Sequence, residues 1–445
     1  MSRAEETAHE SLRRPEPQRF PSHVYGEAGG DELLTRLFFP ALTPWLPLTR
    51  RLGLAEEDAL HIASLASLHG TDFLRELLAS GRADVDRIYR AIADELRLAY
   101  LSGVDPERLL IAPEQALTVL SAESGPYCAK VEGKDGYTSY VLVPEDLDQS
   151  RASLERHPTV RARLKVTTPA AFRSAMTTKA RAALDRLAVD GLAEDFPEFS
   201  ARVVANAWQG LVLGAAIVAV PVAVTLYPEF AYGTLHILVS FFFLACVGLR
   251  IAAIYSPPPR LVQALPSVSP ADLPVYSVIV ALYGEAEVVS DLLRALDRIV
   301  WPRSKLEIKL ACETDDAETL RAIAKEGLPP WVEVVRVPRI GPRTKPKALA
   351  YALPLTRGDY IVLFDAEDQP HPHQLLEAWD RFQRGGEELA CLQAPLEIGN
   401  HDQSLIARMF AFEYAGLFRG LLPWLSRRRA LLPLGGTSNH FRGLM

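Results

Sequence analysis

Cysteine is scarce in this 445-residue chain. Its four thiols, Cys128, Cys246, Cys312 and Cys391, lie far apart and form neither a C-x-x-C pair nor a metal-ligand spacing. That argues against a disulfide framework or a zinc module and predicts reduced, unpaired thiols in a cytoplasmic setting. A basic excess is also lacking: 48 Lys and Arg stand against 55 Asp and Glu, a net charge of −7, so no nucleic-acid partner is expected. The first ten residues, M-S-R-A-E-E-T-A-H-E, contain no apolar core and are not a signal peptide. No internal repeat is visible. No G-x-G-x-x-G follows a strand-like run, which disfavours a soluble dinucleotide-binding protein.

What is present divides the chain into two or three domains. Residues 1–30 are polar and rich in Pro, Glu and Arg, a composition expected to be disordered. Residues 31–200 read as a small α+β regulatory or docking module. Apolar stripes at helical spacing over Leu54–Leu101 predict several short helices, with Gly70, Gly81 and Gly103 as punctuation. Pro126–Glu132 and Tyr137–Pro144, joined through Gly133-Lys134-Asp135-Gly136, predict a hairpin, and Leu164–Val166 a further strand. Thr168 followed by Pro169 marks the start of a helix.

Residues 205–255 hold two uncharged apolar stretches, Ala207–Tyr227 and Phe230–Leu249. Each has about 20 residues, the length of a membrane-crossing helix. The connection Pro228–Gly233 has no Lys or Arg, whereas Arg202, Arg250 and Arg260 flank the pair. The positive-inside rule then predicts a hairpin in contact with membrane lipid, with cytoplasmic domains on both sides, in a bacterial inner membrane. Ser256-Pro257-Pro258-Pro259-Arg260 opens a semi-rigid linker over 256–275.

From Tyr276 onward strands and helices alternate, predicting an α/β domain with a mostly parallel sheet. Tyr276–Leu282, Leu306–Cys312, Val332–Val337 and Tyr360–Phe364 are continuous apolar runs suited to buried strands. Ala317–Glu326 and Lys347–Leu355 read as helices between them. The last of these strands ends in Asp365, Glu367 and Asp368, and the second in Glu313, Asp315 and Asp316. Carboxylates at the C-terminal edge of such a sheet stand where ligands bind, and suit a hard divalent cation holding a diphosphate.

The ordered set A-L-Y-G-E, C-E-T-D-D, P-R-T-K-P-K-A-L-A-Y-A-L, F-D-A-E-D, L-Q-A-P and G-G-T-S-N-H-F-R resembles family 2 glycosyltransferases, nearest the membrane synthases of cellulose and poly-N-acetylglucosamine type. The resemblance covers about the last 170 residues. It implies a GT-A fold over 276–445 and inverting transfer from a nucleotide sugar, a UDP-sugar above all, to a growing envelope glycan or exopolysaccharide. By it, Ala281, Tyr283 and Glu285 meet the donor's base and ribose, and Glu313 reads the base, with Asp315 and Asp316 next in line. Lys347 meets the diphosphate, supported by Arg343 and Lys345. Asp365 with Glu367, or Asp368, forms the metal-binding D-x-D for Mg²⁺ or Mn²⁺. Gly435, Gly436, Ser438 and Asn439 approach the acceptor, and the apolar helix Met409–Leu422 lies beneath it. The family commonly has Asn where this chain has Ala350. His371 and His373 are candidate ligands, with exposed loop histidines as the simpler alternative.

In the family a general base sits in a T-E-D motif some tens of residues past the glycine loop, and this sequence reaches Met445 before it. A C-terminally truncated synthase, or a platform that binds donor without turnover, is therefore expected. The N-terminal module resembles the N-terminal domain of type II secretion ATPases, which implies a secretion, export or cyclic di-GMP-linked partner. Arg51-Leu52-Gly53 matches the opening of the nucleotide-binding pattern there, but the remainder does not follow.

Overall fold

The computed structural model describes residues 40–122, 127–133, 136–202, 204–255 and 268–443. The tail over 1–30, most of the proline linker and the tip of the 133–136 turn lie outside the described residues. By its internal contacts the chain forms two compact units, divided after Val189, near Ala264, after Leu392 and before Asn439.

The first unit contains two sheets. Near the N-terminus, β1 (Ala99–Leu101), β2 (Tyr127–Glu132), β3 (Thr138–Val143) and β4 (Leu164–Thr167) lie in the order β1-β4-β3-β2. The β2–β3 hairpin is antiparallel, whereas β4 runs parallel to both its neighbours. The sequence pattern placed 99–101 at the end of a helical stretch. The structure instead ends the helix Val85–Glu95 at Leu96, turns at Arg97 (φ 53°) and pairs Tyr100 with Val166. Side-chain caps begin the helices: Asp72 accepts from Arg75 N at 2.7 Å, Asp84 from Arg87 N at 3.0 Å and Thr168 from Ala171 N at 3.2 Å.

The larger sheet comprises β5 (Tyr276–Leu282), β6 (Leu306–Glu313), β7 (Val332–Val337), β8 (Tyr360–Phe364), β9 (Cys391–Gln393) and β10 (Asn439–Arg442), in the order β7-β6-β5-β8-β10-β9. Strands β7, β6, β5 and β8 are parallel. Beside them β10 runs antiparallel to β8, pairing Asn439 with Leu363 and Arg442 with Tyr360. The apolar runs are continuous because both faces are covered, and the two-residue period of a strand divides them. Val278, Val280, Leu282, Ile308, Leu310, Val362 and Phe364 pack in a core with the helices Val289–Asp297 and Gln374–Gly385. Ile279, Ala311, Val335, Val337 and Ile361 belong to a second core.

That second core is shared. It takes in Ala348, Tyr351 and Ala352 of the Lys345–Ala352 helix and continues into Phe172, Met176 and Leu184 of the N-terminal module. The module thus covers one face of the large sheet. Polar contacts reinforce it: Glu76, 4% exposed, accepts from Thr71 Oγ1 at 2.6 Å and from Ser304 across the junction. Arg173 donates to the Leu355 carbonyl at 2.6 Å and lies 3.6 Å from Glu307.

The second unit contains the helices Ala207–Leu226 and Pro228–Ile254, both long and apolar enough to cross a membrane. Their side chains are almost entirely exposed, Phe241, Phe242 and Phe243 among them. Asn206 and Gln209 cap the first helix reciprocally. Leu405–Gly416, a π-helical turn over 417–421 and Leu422–Arg427 complete the unit, and Arg250 pairs with Glu413 at 3.2 Å.

Candidate functional site

The tips of β5, β6 and β8 and the loop before the Lys345–Ala352 helix bring charged groups together. After β5, Gly284 N donates to Asp316 Oδ2 at 2.6 Å and Glu285 N to Thr319 Oγ1 at 3.0 Å. Asp316 also caps the Ala317–Glu326 helix by accepting from Thr319 N at 3.1 Å. Burial works against its charge, but these amide and hydroxyl donors prevail and hold the carboxyl below its ordinary range. Asp316 is therefore a helix cap that fixes the Tyr283–Glu285 turn. Ala281 sits in β5 opposite Ala311, packed against the second core.

Asp315 pairs with Arg343 and, at 3.8 Å, with Arg339. Arg343 also donates to the Tyr283 hydroxyl at 2.9 Å and lies over that ring, 5.6 Å from its centroid. Asp365, half-buried at the tip of β8, pairs with Lys345. Asp368 turns back and accepts from Asp365 N at 2.8 Å, while Glu367 is exposed. Burial, and then the charges of Glu367, Asp365 and Asp316, push the Glu285 carboxyl up. Those four acids share one region of negative potential.

Lys347 is placed differently from the sequence expectation. It is 3% exposed, pairs with Glu313 Oε1 at 2.6 Å and donates to the carbonyls of Ile340 at 3.2 Å and Pro338 at 3.4 Å. It pins the basic loop from inside, and Lys345 is the lysine beside Asp365. Helical geometry explains the exchange, because residues two apart project about 200° from each other around the axis. Glu313 Oε2 is buried with no hydrogen-bond partner among the described residues. An orphaned acceptor of this kind suits an incoming N–H donor.

His371 and His373 lie with rings 5.6 Å apart beyond β8, His371 exposed. In the second unit, a Cβ on Gly435 would stand 2.5 Å from Gln393 Nε2, so a larger residue there would displace that carboxamide, and Ser438 adopts φ 54°. Gly436 and Ser438 belong to that unit and Asn439 to the first. The pattern did not single out His440. It is 1% exposed in β10, with Tyr276 Oη 2.6 Å from Nδ1 and the Gln374 carboxamide 3.1 Å from Nε2. Burial drives its pKa down to about 3.

Among the described residues no three ligand side chains are already gathered as a metal cage. A divalent cation that arrives with a diphosphate needs only one or two protein carboxylates, the rest of its shell being phosphate and water. Asp365 with Glu367 or Glu285 fits that requirement: hard oxygen donors, mutually repelling and at a sheet's C-terminal edge.

Parallel strands carrying acids and a basic loop at one edge form the kind of crevice in which open α/β sheets bind ligands. Residues 274–439 match the family model described as "Glycosyltransferase like family 2". The chain is 26% identical over 183 residues to a probable glucomannan 4-beta-mannosyltransferase of Arabidopsis thaliana, covering 39% of this chain and 33% of that protein. It is 31% identical over 131 residues to a beta-monoglucosyldiacylglycerol synthase of Trichormus variabilis, covering 29% and 27%. A solved mannosyltransferase from Pyrobaculum calidifontis, in complex with GDP-Man and Mn²⁺, aligns at 21% identity and a TM-score of 0.29 over 36% of this chain and 46% of that one. The matched family and these relatives are glycosyltransferases. The chain spans a third or less of the length of the two curated relatives.

Proposed function

We propose that this chain transfers a sugar, with inversion, from a nucleoside diphosphate donor, UDP-sugars first, to a glycan acceptor at a membrane. The observation that carries the reading is the pairing of Asp365 with Lys345 and of Asp315 with Arg343 at adjacent strand tips. These cations neutralise the acids internally, and a metal–diphosphate complex offers both partners a better match. The carboxylates would hold the cation, and Lys345 and Arg343 would meet phosphate oxygens. When bound, Mg²⁺ or Mn²⁺ supplies charge neutralisation on the leaving diphosphate. The chain's own part is to orient that group: Asp365, with Glu367, holds its position, Arg343 and Lys345 clamp it, and Tyr283 offers a ring face beside Arg343. Glu313 Oε2 is the acceptor for a base N–H. In this reading the exposed helices 207–226 and 228–254 lie in a lipid bilayer and keep the domain at a cytoplasmic membrane surface.

The test is transfer or hydrolysis of radiolabelled UDP-sugars, with GDP-mannose alongside, by the intact chain in nanodiscs. Turnover that disappears in Asp365→Ala supports the proposal. Turnover unaffected by that change, or none with any donor, refutes it.

A further inference from the structure

The basic loop over 338–344, which carries Arg339 and Arg343 and leads into Lys345, is held from two sides. From inside, Lys347 bonds the carbonyls of Pro338 and Ile340. From outside comes the end of the N-terminal module. Gly341 has φ +55°, and a Cβ placed on it would stand 2.9 Å from Val189 Cγ2 and 3.1 Å from Cγ1. The turn at Gly341 is therefore seated directly on the Val189 side chain, with no room for a larger residue.

One turn earlier, Asp185 has a buried Oδ1 without a hydrogen-bond partner among the described residues. Burial pushes its carboxyl up, and the charges of Arg181 and Lys347 oppose the rise. Burial, and then the charge of Asp185, push the Tyr351 phenol up to about 12. The turn after the C-terminus of the Lys345–Ala352 helix is tied down by Ser121 Oγ on the Pro354 carbonyl at 3.2 Å and by Arg173 on the Leu355 carbonyl at 2.6 Å. The module thus meets the loop before the helix through Val189 and the turn after it through Ser121 and Arg173. None of them stands at the strand tips.

We propose that Val189 is a positioning residue: it holds the 338–344 loop, and through it Arg343 and Lys345, in the geometry a donor diphosphate meets. This rests on the donor-site reading above. The N-terminal module is then part of the donor site's supporting frame, and whatever moves the 181–189 segment changes donor affinity. Val189 does not touch the diphosphate, so its loss acts through loop order.

The experiment uses the intact chain in nanodiscs, as wild type, Val189→Ala and Val189→Thr, with two readouts. Hydrogen–deuterium exchange over 338–347 judges the brace without any ligand. Expected is exchange at least about threefold faster in Val189→Ala, unchanged exchange over 276–282, and recovery in Val189→Thr, which keeps the branched shape. Donor kinetics judge positioning: KM for the sugar nucleotide rises about fivefold while kcat stays within about twofold. Unchanged loop exchange overturns the inference, as does faster exchange with an unchanged KM. A fall in kcat and melting temperature with KM constant assigns a bulk structural role and also overturns it. A wild-type chain that binds no nucleoside diphosphate refutes the donor reading instead, and the exchange data from the same samples still decide whether the brace exists.

Discussion

Arg173→Met tests whether the N-terminal module is fastened to the large sheet by charge as well as by apolar packing. Arg173 lies 3.6 Å from Glu307 Oε1 and donates to the Leu355 carbonyl at 2.6 Å. Its third contact, Glu333 at 3.6 Å, is half exposed and screened by water. At 3.6 Å and an effective dielectric near 20, the Coulomb attraction to Glu307 is about 4–5 kcal/mol, offset by several kcal/mol of desolvation. Glu307 is not orphaned by the change. Lys309 at 2.9 Å, Arg357 Nε at 3.5 Å, Ser277 Oγ at 2.7 Å and Arg357 N at 2.9 Å remain. Against burial, Lys309, Arg357 and Arg173 together hold the Glu307 carboxyl far below the usual range, and two of those cations persist. The net loss expected is about 2 kcal/mol, or about 5 °C in melting temperature. Glu307→Gln removes the centre of the cluster and leaves Lys309, 1% exposed, with Glu333 alone, so it should cost more, about 3–5 kcal/mol. Differential scanning fluorimetry of the intact chain in detergent measures both. Arg173→Met melting with the wild type, or costing more than Glu307→Gln, would refute the reasoning.

Acid lability should come partly from His440. Its folded pKa near 3 lies below the ordinary value near 6.5, so the unfolded chain binds the extra proton between those limits. Stability is complete above pH 6.5 and falls as the pH drops toward 3. The loss approaches about 1.4 kcal/mol per pH unit once well below 6.5, and His440→Gln should flatten that slope in urea titrations at pH 5 and 7. Lys345→Gln should strengthen binding of Mn²⁺ alone, by removing the cation that occupies Asp365, and weaken binding of UDP in the presence of Mn²⁺; isothermal titration with each ligand separates the two effects. Alkaline carbonate washing of expressing cells should leave the chain in the membrane pellet, and release into the supernatant would contradict the reading of helices 207–226 and 228–254 as spans.

Much of the large sheet was legible in the sequence because its four parallel strands are covered on both faces and read as unbroken apolar runs. The acids at their tips were legible for the same reason: a run of four to eight apolar residues has a definite end. The helix that carries the lysines was expected to start at Lys347. It starts at Lys345, with Pro346 in its first turn, a position that suits proline. Within that first turn Lys347 faces the interior and pairs with Glu313, and Lys345 pairs with Asp365. Strand β10 was hidden because N-H-F-R is short and half polar, and its polar members are buried only through partners distant in sequence, Tyr276 and Gln374. The sharing of one core between residues 172–184 and 348–361 carries no local pattern at all, because it is a long-range packing event between segments that each look self-sufficient.

The most direct measurement is calorimetric titration of UDP into the intact chain with Mn²⁺ or Mg²⁺, repeated with EDTA and in Asp365→Asn. Metal-dependent binding that is lost with EDTA and weakened at least about tenfold in Asp365→Asn is the expected result. Binding of equal strength with and without metal, or an Asp365→Asn chain indistinguishable from wild type, would mean that the carboxylates of β5, β6 and β8 and the cations facing them do not form a pocket for a metal-bound diphosphate.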